Sequence, residues 1–197
     1  AGVVAFHRAC RERGLQPVFG AEVDLLPAAA ESFAGRAFRN VVLAENDTGY
    51  GSLVALLSEA WRRREGDAPP HTSWRRIAER RAGLIVLAGG RRSELFSLLS
   101  RARGESPAER EACLAAVGAH IEMLVETLGA DRLAFEIADF GHPETAELNA
   151  YLAHVAEFVG APVVATNDVH YLLPEDDLAW RFLRGVPIQG PIYVRRL

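Results

Sequence analysis

The stretch that decides the fold runs from Pro143 to Gly185 and reads PETAELNAYLAHVAEFVGAPVVATNDVHYLLPEDDLAWRFLRG. Its first part, residues 143–160, begins with a proline and ends with a glycine, which are typical of the start and the end of a helix. The apolar run APVVATND then predicts a strand, and PEDDLAWRFLRG predicts a second helix. A helix, a strand and a helix in succession are the repeating unit of an α/β fold.

The rest of the chain repeats this alternation. Strands are predicted at QPVFGAEVDLL, FRNVVLAEN, GLIVLAGG and DRLAFEIADF, and each is separated from the next strand by a loop or by helical segments. An amphipathic helix over residues 3–13 ends at Gly14, and Asp47 or Thr48 is expected to cap the helix that follows FRNVVLAEN. The alternation favours an α/β fold with a mainly parallel sheet, either open or closed into a barrel.

Composition indicates one domain of ordinary size. The chain has 197 residues, of which 49% are hydrophobic and 24% are charged, and its net charge is -4. That charge argues against nonspecific nucleic-acid binding by the whole surface, although a local basic groove remains compatible with it. All 22 basic residues are arginine, which we interpret as genome bias with arginines on solvated helix faces. There is neither a membrane-length apolar run nor a signal-peptide pattern, and the distant Cys10 and Cys113 fit reduced thiols, so a cytoplasmic protein is expected.

Polar residues at the strand ends are the candidates for function, because ligands of parallel α/β folds bind at the carboxyl ends of the strands. Histidines elsewhere are weaker candidates: His7 is expected at the surface, and His71 in a loop. His120 and His154 are expected to be solvent-facing or half-buried, and His142 fits the start of a helix. The strand-end residues, in chain order, are Glu22, Asp24, Glu45, Asn46, Gly89, Gly90, Arg91, Glu136, Asp139, Asn167, Asp168 and His170.

Two groups among them suggest metal chemistry. Asp168 and His170 are two residues apart, so in an extended strand both side chains lie on one face and can share a zinc, manganese or iron ion. The alternative is that Asp168 caps a turn and His170 donates to a backbone carbonyl. Glu22 lies in an apolar strand, where a carboxylate needs a partner or a metal; its alternative is an exposed strand end or a salt bridge to an arginine.

Four blocks of the chain together resemble a known family. In chain order, the blocks are FHRACRERGLQPVFGAEVDLL, VVLAENDTGYGSLVALLSEA, GLIVLAGG, and GAPVVATNDVHYLLPED with the preceding FEIADFGHPETAELNAYLAHVAEFV. They resemble, in the same order, the PHP (polymerase and histidinol phosphatase) domain of bacterial DNA polymerase III alpha subunits. The resemblance implies an α/β fold that is a distorted seven-stranded barrel. It also implies that residues 1–185 form the domain without its first strand and first metal motifs, and that residues 186–197 form a divergent tail or junction.

The resemblance implies a metal cluster at the strand ends, which some members use as a 3'-5' exonuclease or phosphoesterase. Glu22, Asp168 and His170 match metal residues of the family, and zinc or manganese would be the ion. Arg39 stands where the family has a histidine, and Gly90 stands where it has a cysteine. Because a guanidinium stays protonated, Arg39 cannot ligate a metal, and it is expected instead to pair with Asp168 or Glu22.

The expected function follows from this resemblance. The chain would be part of a bacterial DNA-directed DNA polymerase acting in DNA replication or repair, closer to the error-prone branch, with a degraded metal site and a structural role. No catalytic residue is expected in this chain, and the polymerase Mg²⁺ would be held outside it. Its partners would be the rest of the polymerase chain and, through that chain, DNA, with no membrane. The alternatives are a stand-alone PHP phosphoesterase, similar to histidinol phosphatase, and a non-enzymatic interaction domain.

Overall fold

The computed structural model describes residues 2–28, 33, 36–104, 106–139, 143–167 and 169–185. It divides into two compact units between Ala165 and Thr166. The boundary expected at residue 185 stays a prediction, since the residues beyond it lie outside the described ranges. The elements, in chain order, are α1 (Val3–Glu12), β1 (Phe19–Leu25), β2 (Phe38–Ala44), α2 (Asp47–Arg62), α3 (Trp74–Glu79), β3 (Leu84–Ala88), α4 (Glu94–Gly104), α5 (Pro107–Leu128), β4 (Leu133–Ala138), α6 (Pro143–Val159), β5 (Val163–Thr166) and α7 (Asp177–Leu183).

Local sequence accounts for most of these elements, with one correction at the start of α2. The cap of this helix is Asn46, whose side-chain oxygen accepts a hydrogen bond from the Gly49 amide at 3.0 Å. The expectation that Asp47 or Thr48 caps α2 was wrong, because the helix begins one residue earlier and includes both of them. The cap satisfies one of the amides that a helix start leaves without an intrahelical partner.

The five strands form one sheet in the order β1-β2-β3-β4-β5. The fold is mixed α/β as expected, but the sheet is not mainly parallel. β1 pairs antiparallel with β2, and β2 pairs antiparallel with β3, whereas β3 and β4 are parallel. The strand count of the described part is five, so the seven-stranded barrel remains an expectation.

The antiparallel pairing of β2 and β3 follows from the two helices between them. α2 leads away from the end of β2, and α3 brings the chain back toward the same end, so that Leu84 pairs with Ala44. The Glu45 amide donates to the Gly83 carbonyl at 2.9 Å, which fixes this return. One helix between two strands would have delivered β3 parallel to β2; a pair of helices reverses it.

The hydrophobic core of the first unit lies between the sheet and its helices. Alternate residues of β1 and β2, including Val23, Leu25 and Val42, pack toward Leu53 and Leu56 of α2. Residues between them in sequence, such as Glu22 and Arg39, face the other side of the sheet, as the two-residue period of a strand requires. Within the described ranges, no helix is long and apolar enough to cross a membrane.

The second unit has a short described part. A 3-10 turn over Pro174–Asp176 leads into α7, whose Arg181 pairs with Asp177 at 2.9 Å. The ring of His170 stacks on the indole of Trp180, with 4.8 Å between centroids and 26° between planes.

Candidate functional site

One end of the sheet brings together residues of β1, β2 and β4 and of the turn after β3. Leu25, which ends β1, pairs with Phe38, which starts β2, and the Arg39 amide donates to the Arg92 carbonyl just after β3. The parallel pairing of β3 and β4 brings the end of β4 to this same edge. The sequence predicted Glu22, Asp24, Gly90 and Glu136 as strand-end residues, and it predicted Arg39, at the beginning of β2, as a partner of Asp168 or Glu22.

Glu45 and Asn46 are not part of this group. They follow β2, which runs antiparallel to both of its neighbours, so they lie at the opposite end of the sheet. There, Glu45 pairs with Arg132 at 3.4 Å, and Asn46 caps α2. The sequence-based grouping assumed a parallel sheet and was wrong for these two residues.

Arg39 is the centre of the gathered charges. Its Nε and Nη2 atoms donate to the two carboxylate oxygens of Asp24 at 2.8 and 3.0 Å, and its Nη1 atom donates to Glu22 at 3.1 Å. A guanidinium that grips one carboxylate with two parallel bonds is a strong, directional ion pair. The expected pairing of Arg39 with Glu22 is confirmed, and Asp24 is a partner that sequence analysis did not assign to it.

This arrangement fixes the charge of Arg39. The hydrogen bond to Asp24 raises the pKa of the Arg39 guanidinium above its ordinary value; partial burial opposes the rise, and the negative charges of Asp24 and Glu22 reinforce it. The Asp24 side chain is only 19% exposed, whereas that of Glu22 is 51% exposed. Glu22 is therefore half-exposed and salt-bridged to an arginine, as the alternative to a metal-bound carboxylate predicted.

Gly90 leaves room for a neighbouring carboxylate. A Cβ atom built on Gly90 would collide with the carboxylate of Glu136 at the end of β4. No side chain larger than hydrogen fits between this backbone and Glu136 without movement. Gly90, where the resemblance leads us to expect a cysteine in the family, is thus covered by an acidic side chain, a contact between distant residues that local sequence does not reveal.

The other two predicted metal residues are placed differently. Asp168 lies outside the described residues. His170 belongs to the second unit, where its ring stacks on Trp180. The grouping of Glu22 with Asp168 and His170 therefore stays a prediction.

The charged strand ends do not fit a divalent metal as they are arranged. Three oxygen atoms of Asp24 and Glu22 already accept hydrogen bonds from Arg39, so a guanidinium stands where a divalent ion would have to approach. No three histidine, cysteine, aspartate or glutamate side chains in the described ranges lie close enough together to hold a metal ion. The positive charge between these carboxylates comes from the chain itself.

A second polar pair, inside the core, was missed by sequence analysis. His120 was expected to be solvent-facing or half-buried, but it is 5% exposed, and its Nδ1 atom lies 3.6 Å from the buried carboxylate of Glu94. That nitrogen has no hydrogen-bond partner among the described residues. The signal was present in α5, because His120 continues the spacing of the buried residues Val117, Ile121 and Leu124. His7 and His154 are exposed and His71 lies in a loop, as expected, and His142 lies outside the described ranges.

We expect this buried histidine to make stability depend on pH. Burial lowers the pKa of His120 from 6.5 to about 4. Between pH 6.5 and pH 4 the histidine therefore takes up a proton in the unfolded chain but not in the folded chain. The contribution of His120 to the free energy of unfolding is fully present above pH 6.5 and is lost as the pH falls toward 4. The expected loss is about 3 kcal/mol in the free energy of unfolding.

Urea unfolding at a series of pH values measures this loss. A His120→Leu variant should lack this part of the acid-dependent decrease, whereas a variant of the exposed His154, His154→Leu, should retain it. Equal pH profiles of the two variants would show that His120 is not the group responsible.

The chain is similar in sequence to one protein family and to several bacterial proteins. The family model described as PHP domain matches residues 1–139. DNA polymerase III subunit alpha of Escherichia coli (strain K12) is 32% identical over 175 residues, which are 89% of this chain and 14% of the relative. The proteins of the same name from Treponema pallidum (strain Nichols) and Bacillus subtilis (strain 168) are 30% and 27% identical over 184 and 185 residues, covering 90% and 94% of this chain. The chain spans 14 to 15% of the length of these relatives.

Proposed function

Because this chain belongs to the PHP domain family, we propose that it forms the PHP domain of a bacterial DNA-directed DNA polymerase of the alpha-subunit type. The observation that carries the proposal is the similarity to DNA polymerase III alpha subunits of distant bacteria over nearly the whole chain. The parent protein would add deoxynucleotides to a primer with Mg²⁺ held outside this chain. In that setting we expect the sheet to belong to the seven-stranded barrel of the family.

The role proposed for the chain itself is structural. The contacts of Arg39 support this role, because its guanidinium balances Asp24 and Glu22 with a permanent positive charge. A cation supplied by a side chain holds the strand ends together without a metal, but it cannot polarise a phosphate ester or activate water as a metal ion does. We therefore propose that the site is a degraded PHP metal site, and that the parent is of the error-prone type.

Restoring a ligand at position 39 tests this proposal. In an Arg39→His variant the carboxylates of Asp24 and Glu22 lose their guanidinium and gain an imidazole neighbour. We expect the Mn²⁺ or Zn²⁺ content of the purified full-length protein to rise from near zero to about one ion per chain. Elemental analysis after dialysis measures it.

An Arg39→Leu variant is the matched control. It frees the same carboxylates but adds no ligand, so its metal content should stay low. Tight binding of several metal ions by the natural protein, together with cleavage of a phosphoester, would contradict the proposal and favour a PHP phosphoesterase similar to histidinol phosphatase.

The polymerase assignment has its own test, which is the reading frame on both sides of this segment in the source DNA. A frame that continues for several hundred residues into a carboxylate-bearing palm domain supports it. A frame that holds no polymerase region would contradict it and leave a free-standing interaction domain, provided that the metal measurement is also negative.

A further inference from the structure

The segment Glu59–Arg81 is strongly basic, although the chain as a whole is acidic. It contains seven arginines and four carboxylates, a net charge of +3, while the net charge of the whole chain is -4. The segment spans the end of α2, the loop after it, and α3. Positive charge is therefore concentrated on one part of the surface, where it can attract an anion even though the protein repels one overall.

Four of these arginines line one cleft. Arg63 and Arg64, directly after α2, and Arg75 and Arg76 in α3 line a cleft of about 170 Å³. We call these four residues the arginine surface. Arginine is suited to bind phosphate, because its planar fork of N–H donors matches two phosphate oxygens at once.

Nearby carboxylates do not neutralise this cluster. Glu59 alone faces three guanidiniums, with Arg63 at 2.8 Å, Arg76 at 3.4 Å and Arg80 at 3.5 Å. Three guanidiniums carry about fifteen N–H donors, whereas one carboxylate offers about four acceptor sites. The second carboxylate, Glu79, pairs with Arg75 and Arg76 and leaves a positive surplus around the cleft.

An exposed aromatic ring adjoins the arginine surface. Trp61 is 58% exposed, and the guanidinium of Arg64 lies 5.3 Å from the centre of its ring. Basic side chains that follow a phosphate backbone, beside an aromatic ring on which a base can stack, are the combination that binds single-stranded nucleic acids.

The arginine surface is separate from the charged strand ends. Val23 and Leu25 of β1 face the helices that carry it, since they share one buried cluster with Leu56 of α2 and Ile77 of α3. Glu22 and Asp24 alternate with them in sequence and so lie on the other face of the sheet, with Arg39. A ligand on one face does not touch the group on the other.

We propose that the arginine surface binds the phosphate backbone of a single-stranded nucleic acid, and that Trp61 stacks on one of its bases. This inference does not rest on the proposed function, since it uses only the charge, geometry and exposure of the segment. It adds a nucleic-acid contact to a chain to which we otherwise assign a structural role.

Two charge-matched variants of the full-length protein test the proposal. R63Q/R64Q/R75Q removes three positive charges from the arginine surface, and R8Q/R11Q/R13Q removes three from exposed positions on and next to α1. The probe is a fluorescein-labelled oligothymidylate, whose dissociation constant is measured by anisotropy over a series of salt concentrations. Circular dichroism confirms that each variant is folded.

We expect the first variant to bind about tenfold more weakly at 0.1 M salt, with the slope of log K against log salt reduced in magnitude by about two. The second variant should stay within about twofold of the natural protein. Equal losses in the two variants, or no loss in the first, would overturn the proposal, because the effect would then not be local to the cleft.

Trp61 provides a local readout even if other parts of the protein bind DNA. Ultraviolet cross-linking to the same oligothymidylate, followed by peptide mapping, should modify the peptide that contains Trp61, and R63Q/R64Q/R75Q should abolish this product. Trp61→Ala should weaken binding of the single strand about fivefold or more and leave duplex binding unchanged. Absence of the cross-link at saturating oligothymidylate would overturn a single-strand site. The same holds if inorganic tripolyphosphate displaces the labelled oligothymidylate as well as unlabelled oligothymidylate does.

Discussion

Replacing Phe135 by alanine is expected to lower the free energy of unfolding by about 4 kcal/mol. Phe135 has no exposed surface and lies in β4, where it is part of the buried cluster between the sheet and the helices. Its backbone is fixed on both sides, by its pairing with Ala88 of β3 and by the hydrogen bond from its amide to the Pro162 carbonyl at 2.8 Å. A strand held in this way cannot move inward to fill the space left by the ring.

Phe158→Ala is the control for this prediction. The same atoms are removed from a side chain that is 87% exposed, so the change should stay within about 0.5 kcal/mol. Urea unfolding measures both variants, with an unchanged dependence on denaturant as the condition for comparing them. Similar losses in the two variants would mean that Phe135 is not packed as the structure places it.

Replacing Gly49 by alanine is expected to lower the free energy of unfolding by about 3 kcal/mol. A Cβ atom at this position would collide with the carbonyl of Gly83, which also accepts the hydrogen bond from the Glu45 amide. The atoms that a Cβ of residue 49 would meet all belong to the backbone of Gly83, so they cannot rotate away as a side chain would. The first turn of α2 would have to move away from the start of β3, and the return of the chain between β2 and β3 would be strained.

Gly51→Ala is a control that should act in the opposite direction. Gly51 lies two residues further along the same helix and is exposed, and a Cβ atom there would meet no neighbouring segment within 4 Å. Alanine there should raise the free energy of unfolding by up to about 1 kcal/mol, because it restricts the unfolded chain. Thermal or urea unfolding of the pair decides the matter: two changes of the same sign would contradict the close approach of Gly49 to Gly83.

The direction of β2 links the fold to the candidate site. Because β2 runs antiparallel to β1, Arg39 lies beside Asp24 and Glu22. A parallel β2 would have placed Glu45 at this end of the sheet instead of Arg39.

The elements are predicted correctly from sequence where the interactions that determine them are local. The elements that the structure describes match the predicted helices and strands closely, because caps, turns and hydrophobic periods act within a few residues. The pairing of Arg39 with Asp168 or Glu22 was expected from the family resemblance, and the structure shows the pair with Glu22. Asn46, by contrast, was overlooked as the cap of α2 because Asp47 and Thr48 beside it are equally competent caps.

The sequence by itself determined the alternation of strands and helices, the charge of the chain and the residue types at the strand ends. Only the tertiary structure decided the direction of β2, the burial of His120 against Glu94 and the fit of Glu136 over Gly90. The physical reason is range. Hydrophobic periodicity and capping are written in neighbouring residues, whereas strand direction and the contacts of a buried polar group depend on segments that lie far apart in sequence and meet only in the folded chain.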